Sequence, residues 1–408
     1  MTTVADARPA VRSTRRLSRP VAFAAIAAIF VTFAAASAAP SPLYVVYQRL
    51  WGFSPTTLTV IFAVYVVGLI GSLLMLGALS DHIGRRPVLA AAIALEAVSL
   101  VLFLSAGDVT VLLVARLLQG IATGAAMTTL SAALVDLNPP HAPGRAGLIN
   151  GIAPVSGLAV GALGCGALVQ FAPSPTHLVW ALLLAGMLLA GVVVARIPET
   201  SARRPGAAAS LTPRLGVPSR LRADMAALVP IIVASWAIGG LYLSLGPSVA
   251  AGVFGLTNHL VGGLVVTLLC GTGAISSFVL RNVRTSRVLA LAGSLLTIGS
   301  AISVLGVQFE DITLAAAGTV LSGIGFGASA LASFGTLAVL AAPHERGELF
   351  AVALVIAYAA FSVPAVIAGL AATSAGLHAT ALVYGCAVAA LGAAALLAQR
   401  LRGAGAAG

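Results

Sequence analysis

Twelve stretches of this chain stay apolar for close to twenty residues or more. They lie at roughly 20–40, 56–79, 88–106, 109–136, 146–170, 177–197, 226–247, 257–280, 288–307, 312–340, 349–372 and 379–400. A hydrocarbon core about 30 Å thick takes about 20 helical residues to cross. Lipid offers no partner to a bare peptide group, so a chain crosses it only as helices or as a closed barrel. The runs are continuous rather than alternating, which selects helices. The expected fold is therefore an all-α polytopic membrane protein with twelve transmembrane helices. Composition agrees: of 408 residues, 60% are hydrophobic and 8% charged, against about a quarter charged in an ordinary soluble domain.

Charge placement gives the topology. The formal charge is +11, and all 22 basic residues are Arg. They are scattered in short loops, which reads as membrane orientation and not as a nucleic-acid surface. With the N-terminus in the cytoplasm, 20 of the 22 fall at cytoplasmic ends or loops, including Arg85, Arg86, Arg145, Arg281, Arg284 and Arg346. Arg49 alone falls outside, and Arg116 lies within a span. Both termini are then expected in the cytoplasm of a cell with this protein in its plasma (inner) membrane. Residues 1–19 with the following apolar run and Ala36-Ser37-Ala38-Ala39-Pro40 look like a cleavable leader. Cleavage would leave eleven spans and break the repeat below, so the segment is expected to stay. Cys165, Cys270 and Cys386 all fall in apolar spans without metal or disulfide spacing.

The chain repeats itself. Leu118-Gln119-Gly120-Ile121 with Gly124 matches Leu321-Ser322-Gly323-Ile324 with Gly327; Val88-Leu89-Ala90 matches Val288-Leu289-Ala290; Arg145 matches Arg346. The offsets are 203, 200 and 201. Three matches in order at nearly one offset predict two parallel six-helix halves, as in secondary transporters. The expected organisation is a tail at 1–19, a bundle at 20–197, a Pro- and Arg-rich cytoplasmic linker at 198–225, a second bundle at 226–402 and a tail at 403–408.

The sharpest motif is Gly77-Ala78-Leu79-Ser80-Asp81-His82-Ile83-Gly84-Arg85-Arg86-Pro87, between spans 2 and 3. Gly77 admits a neighbouring helix, Gly84 a tight turn, and Pro87 suits a first helical turn. Asp81 can pair with Arg85 and face a helix N-terminus. The stretch resembles the signature loop of the major facilitator superfamily. That resemblance implies the major facilitator fold, with two pseudo-symmetric six-helix bundles, and alternating access. It also implies that this loop gates the cytoplasmic side, with Asp136 and Arg145 extending its charge cluster. The second half keeps little of it, with Arg281 at the place of Asp81 and Arg284 at that of Gly84.

Arg116-Leu117-Leu118-Gln119-Gly120 with Gly124 resembles a second motif of the family. Arg116 stands about seven residues into span 4, roughly 10 Å deep. A buried guanidinium is a functional candidate by default; in proton-coupled relatives it serves proton transfer or cavity electrostatics. Gln119 is one turn away. Glu96 is the acid well inside a span, about eight residues into span 3, roughly 12 Å from the edge. It is either a proton carrier or a structural partner, for the family fold sets span 3 away from the main cavity. Gly151, Pro154 and Gly157 on span 5 partly match the glycine-proline motif of the family's antiporters, with Ala153 where Gly is common. Span 1 lacks the acid that many such antiporters carry.

Together these place the chain near the twelve-helix drug–proton antiporters. The resemblance implies proton-coupled efflux of small organic or lipophilic compounds by a monomer, with the proton as coupling ion and lipid as solvent. Phe33, Tyr65, Trp236, Tyr242, Tyr358 and Phe361 are candidates to line a largely aromatic cavity. An importer of nutrients or organic anions, with Arg116 as counter-charge, and a non-transporting sensor are the rivals. No phosphate-binding loop, paired intramembrane acids or His cluster appears, so no enzyme, cofactor or metal is expected.

Overall fold

The computed structural model describes residues 16–405 except 143, 214, 343 and 344, with side chains described to residue 400. Twelve helices are long and apolar enough to cross a membrane, and no strand occurs among the described residues. Span 1 is α1 (Arg19–Ala38) with α2 (Pro40–Trp51). Span 2 is α3 (Pro55–Leu76), and α4 (Leu79–Ile83) is a short turn of helix in the signature loop. Spans 3 to 6 are α5 (Arg85–Leu104), α6 (Val109–Asp136), α7 (Arg145–Phe171) and α8 (Pro175–Arg196). The second half holds α9 (Arg222–Ser244) with α10 (Gly246–Gly252), then α11 (His259–Leu280), α12 (Thr285–Gln308), α13 (Ile312–Leu340), α14 (Arg346–Ala375) and α15 (Leu377–Gly405). Leu17 N–H donates to Arg196 O at 2.9 Å, so the start of α1 and the start of the linker share one side, the linker face. The opposite side is the far face.

Packing repeats between the halves. In the first, α3 and α5 lie against α6, α1 against α7 and α5 against α8. In the second, α11 and α12 lie against α13, α9 against α14 and α12 against α15. Lipid gives helices no hydrophobic reason to associate, so close approach and polar contacts hold them together. The matched glycines supply the approach. A Cβ on Gly120 would come 2.0 Å from Tyr65 O, and one on Gly124 2.6 Å from Leu69 O. Their counterparts Gly323 and Gly327 would meet Leu269 O at 2.5 Å and Gly273 O at 1.9 Å. Serines repeat as well: Ser72 Oγ donates to Ile121 O at 2.7 Å, and Ser276 Oγ to Ile324 O at 3.0 Å.

Proline breaks spans 1 and 7, which extend further than the sequence suggests. Pro40 has no N–H for Ala36 O, and Pro247 has none for Leu243 O. Both freed carbonyls find other donors. Gln119 Nε2 reaches Ala36 O at 3.2 Å, and Ser41 Oγ reaches Leu243 O at 2.5 Å, across the two halves.

The halves meet through α7 against α11 and α3 against α14. Near the far face Thr56 Oγ1 lies 2.8 Å from Thr373 Oγ1 and 3.2 Å from Gly369 O. His259 N–H donates to Gln170 Oε1 at 2.9 Å, and Gly166 and Gly263 pack backbone to backbone. On the linker face the halves part around a cavity of about 630 Å³.

Candidate functional site

The signature loop folds around one arginine. Arg85 opens α5, and its Nη1 lies 2.5 Å from Asp81 Oδ1 and 2.7 Å from Ser80 Oγ. Its Nε donates to Asp136 Oδ2 at 3.1 Å, where Thr200 Oγ1 also donates at 2.9 Å. Gly84 precedes it at φ +102°, a left-handed backbone that glycine takes without cost. The anion at the N-terminus of α5 is Glu199, a residue that the sequence reading passes over. Its Oε1 accepts from Arg85 N–H at 2.8 Å and its Oε2 from Arg86 N–H at 3.1 Å. Asp81, expected in that position, instead faces the cavity, half exposed. A Cβ on Gly84 would strike Glu199 Oε2 at 2.7 Å, so the glycine serves the carboxylate as well as the turn. Arg86 turns the other way and caps α8, donating to Val194 O at 3.2 Å and Ala195 O at 2.5 Å. The signal for Glu199 was a lone acid in Pro198-Glu199-Thr200, just past an apolar span and among arginines.

Glu199→Gln should uncap α5. Loss of a charged cap on two backbone donors is expected to cost about 1–2 kcal/mol, read as a drop of several degrees in thermal unfolding of the purified protein. Glu199→Asp, too short to reach both donors, should fall between.

Other expectations about this loop need correction. The nearest atom to a Cβ on Gly77 is Leu73 O of its own preceding turn, at 2.5 Å, with Thr128 only in ordinary contact at 3.8 Å. Gly77 thus serves the exit from α3 rather than helix approach. Arg145 lies over the Phe23 ring at 5.5 Å and is not drawn into the Arg85 cluster, because it starts α7 beside α1. Gly151 faces open space, whereas Gly157 packs on α1, its Cβ position 2.6 Å from Val31 O. Pro154 sits inside α7 as expected.

Inside the first half, three buried side chains line up. Glu96 Oε1 accepts from Gln119 Nε2 at 3.0 Å, and Gln119 Oε1 accepts from Arg116 Nη1 at 2.5 Å. The Arg116 guanidinium covers the Tyr65 ring at 4.2 Å, and Tyr65 hydroxyl donates to Ser37 Oγ at 3.0 Å. Arg116 also donates to Ser37 O at 3.3 Å. Glu96 and Gln119 are wholly buried and Arg116 is 1% exposed. Helix α5 starts earlier than the sequence suggests, so Glu96 sits roughly 16 Å from its first residue. That depth brings it level with Arg116. Within this row of side chains, Glu96 Oε2 and Arg116 Nε have no hydrogen-bond partner. A buried polar atom left so calls for an explanation, whether strain, chemistry or a bound water.

The aromatic candidates divide. Trp236, Tyr358 and Phe361 form one cluster between the halves, with ring centroids 4.8 Å and 5.9 Å from Trp236. Phe62, not among the candidates, joins it from α3, 5.0 Å from Phe361. Tyr65 belongs to the same apolar cluster. Leu73 and Leu354 both pack against that cluster and line the linker-face cavity, so the aromatic layer roofs it. Asp81, His82, Glu348 and Phe350 line the mouth, with Gly206, Ser210 and Thr212 of the linker. Phe33 is fully buried in the first bundle and lines no cavity described here. Tyr242 turns into the second bundle, its hydroxyl 2.8 Å from Thr319 Oγ1, because α9 presents that face to α13. Among the described residues no group of His, Cys, Asp and Glu could hold a metal ion.

Comparison with known proteins agrees with this architecture. A bacterial homologue of the human lysosomal transporter Spinster, in an inward-facing and unoccupied state, superposes with TM-score 0.75 at 14% identity, covering 94% of this chain and 97% of that one. The human organic anion transporter MFSD10 gives TM-score 0.67 at 17% identity, over 93% and 100% of the two chains. A nucleoside transporter gives 0.71 at 10% identity, over the same shares. The sequence profile of the Major Facilitator Superfamily matches residues 21–363. With its twelve spans, its paired bundles and that match, the chain belongs to the major facilitator superfamily and is a multi-pass membrane transporter.

Proposed function

We propose that this transporter exports small lipophilic or weakly polar organic molecules in exchange for protons, by alternating access. The carrying observation is the buried line from Glu96 through Gln119 and Arg116 to Tyr65. It links an acid deep in the first bundle to the layer between the halves. Taking up a proton at Glu96 Oε2 breaks no contact, since that oxygen has no partner to lose. Tyr65, Phe62 and Phe361 share one cluster, so a change at Glu96 has a short packed route to the surface on which the halves move. The cavity below that layer suits an apolar or aromatic solute.

In this reading the linker face is cytoplasmic and the structure stands open inward. Asp81, Arg85 and Asp136 form the inner gate, and closure brings Asp81 toward the start of α14, where the cavity wall now carries Glu348. The unit acts as a monomer in the plasma membrane, with bundles at 20–197 and 226–402 moving about the linker. Import of an organic anion on Arg116 fits less well, because that guanidinium is already held by Gln119, Ser37 and Tyr65.

The test uses inverted vesicles with an acid interior, challenged with lipophilic compounds of several chemical classes. At least one compound should collapse the pH gradient in wild-type vesicles, and none should in vesicles with Asp81→Asn protein inserted to the same level. Silence across the panel with folded wild-type protein would overturn proton-coupled efflux and leave the fold intact.

A further inference from the structure

The second bundle holds a cavity of its own, of about 280 Å³, in the half nearer the far face. It is separate from the space between the halves. Helices α11 and α13 pack backbone to backbone toward the linker face, at Gly273 and Gly327. Toward the far face they spread, and Val261, Leu264, Leu268, Ile312 and Ala316 line the gap. Leu264 is 38% and Ile312 50% exposed, so the cavity reaches the lipid-facing surface between these two helices.

The walls carry no charged residue. The polar groups that face it are hydroxyls. Tyr242 hydroxyl lies 2.8 Å from Thr319 Oγ1 and 3.5 Å from Ser303 Oγ. Ser300, 1% exposed, lines the same space, and its Oγ has no partner. An apolar cavity this large stays dry and takes up apolar molecules, but a buried hydroxyl without a partner is destabilising unless something bonds to it. Both features together select an occupant with an apolar body and one small uncharged hydrogen-bonding head. An anion or cation finds no counter-charge and would lose its hydration for nothing.

We propose that this cavity binds a neutral amphiphile, such as a fatty alcohol or a neutral lipid, which enters sideways from the bilayer with its hydroxyl toward Ser300 and the Tyr242–Ser303–Thr319 cluster. The occupant wedges α11 from α13. Because α11 also packs on α7 of the other half, occupancy tunes the movement of the halves without touching the transport path. The inference stands whether the transported solute is a drug, a nutrient or neither.

The experiment uses the full chain in lipid nanodiscs and a diazirine-bearing dodecanol as probe. Light-driven label should concentrate in residues 261–268, 300–307 and 312–319 and be displaced by excess 1-dodecanol but not by dodecyl sulfate. Ala316→Phe, which fills the gap, should cut the label about tenfold, equivalent to about 1.4 kcal/mol. Should that variant fold poorly, Thr319→Val keeps the volume and removes a hydroxyl; it should weaken capture of the alcohol and leave capture of the matching diazirine alkane unchanged. Label spread evenly over lipid-facing helices, or indifferent to both variants, overturns the proposal. Mass analysis of lipid extracted from the purified protein separates the two sources: a neutral lipid held by wild type and lost in Ala316→Phe marks the bilayer, and an empty extract with specific labelling marks a free solute.

Discussion

Glu96→Gln is expected to abolish pH-driven transport, with a loss on the order of a hundredfold, the scale on which removing a positioned proton carrier acts. The glutamine side chain has the same shape and can still bond to Gln119 Nε2, so the packing of α5 against α6 should survive. Substrate exchange at equal pH on both sides asks for no net proton movement. It should persist in proteoliposomes of the variant while pH-driven accumulation vanishes. That split identifies a coupling role, since a residue that merely holds the bundle together would damage both. Wild-type pH-driven transport in a well-folded Glu96→Gln protein would sink the assignment and leave Glu96 a structural partner of Gln119. The expected behaviour follows from placement. The acid is wholly buried, one of its oxygens is bonded, the other is not, and the nearest cation, Arg116, reaches it only through Gln119.

Gly327→Leu should prevent the protein from reaching its folded form. A Cβ there lies 1.9 Å from Gly273 O, and the obstacle is the backbone of a facing helix, which no rotamer change can move. The cost should exceed the about 1–3 kcal/mol usual for overpacking, with loss of the monodisperse peak on size exclusion. Gly120→Leu should do the same in the first half, against Tyr65 O. Gly151→Ala is the control: nothing lies within 4 Å of its Cβ position, and the variant should elute and melt like wild type. Folded, stable Gly327→Leu protein would mean that α11 and α13 are not in backbone contact.

The spans were legible because the bilayer leaves few alternatives. A run of twenty apolar residues has one way to satisfy its backbone, and α6 and α13 begin and end where their hydropathy does. The pairing of spans was less visible in single residues than in the repeat: Gly120 and Gly323 mean little separately in an Ala- and Gly-rich chain, and become informative at a shared offset. The reading failed where a side chain's role depends on direction. Glu199 lies far along the chain from Arg85, and its capping of α5 follows only once α8 is folded back beside it. Gly151 and Gly157 share a motif, yet only one faces α1. Tyr242 and Trp236 stand on one helix, less than two turns apart, and look into different spaces. Arg116 with Gln119 was readable from helical spacing, whereas the link to Glu96 needed the third and fourth spans brought together at equal depth.

The two ends of the molecule are held by different forces. At the far face, the bonds described between the halves run from hydroxyls and amides to carbonyls and other neutral groups. Each is worth about 1 kcal/mol, and none answers to ionic strength. At the linker face Asp81, Arg85 and Asp136 of the first bundle form one ionic cluster, with Glu199 of the linker on the Arg85 backbone, exposed enough for salt to screen it. In the proposed cycle, closing the first end is therefore a matter of fit, and the second end closes beside a charged cluster. A switch built this way is lopsided: in that proposed cycle, the salt of the medium on the linker side bears on one half and leaves the other untouched.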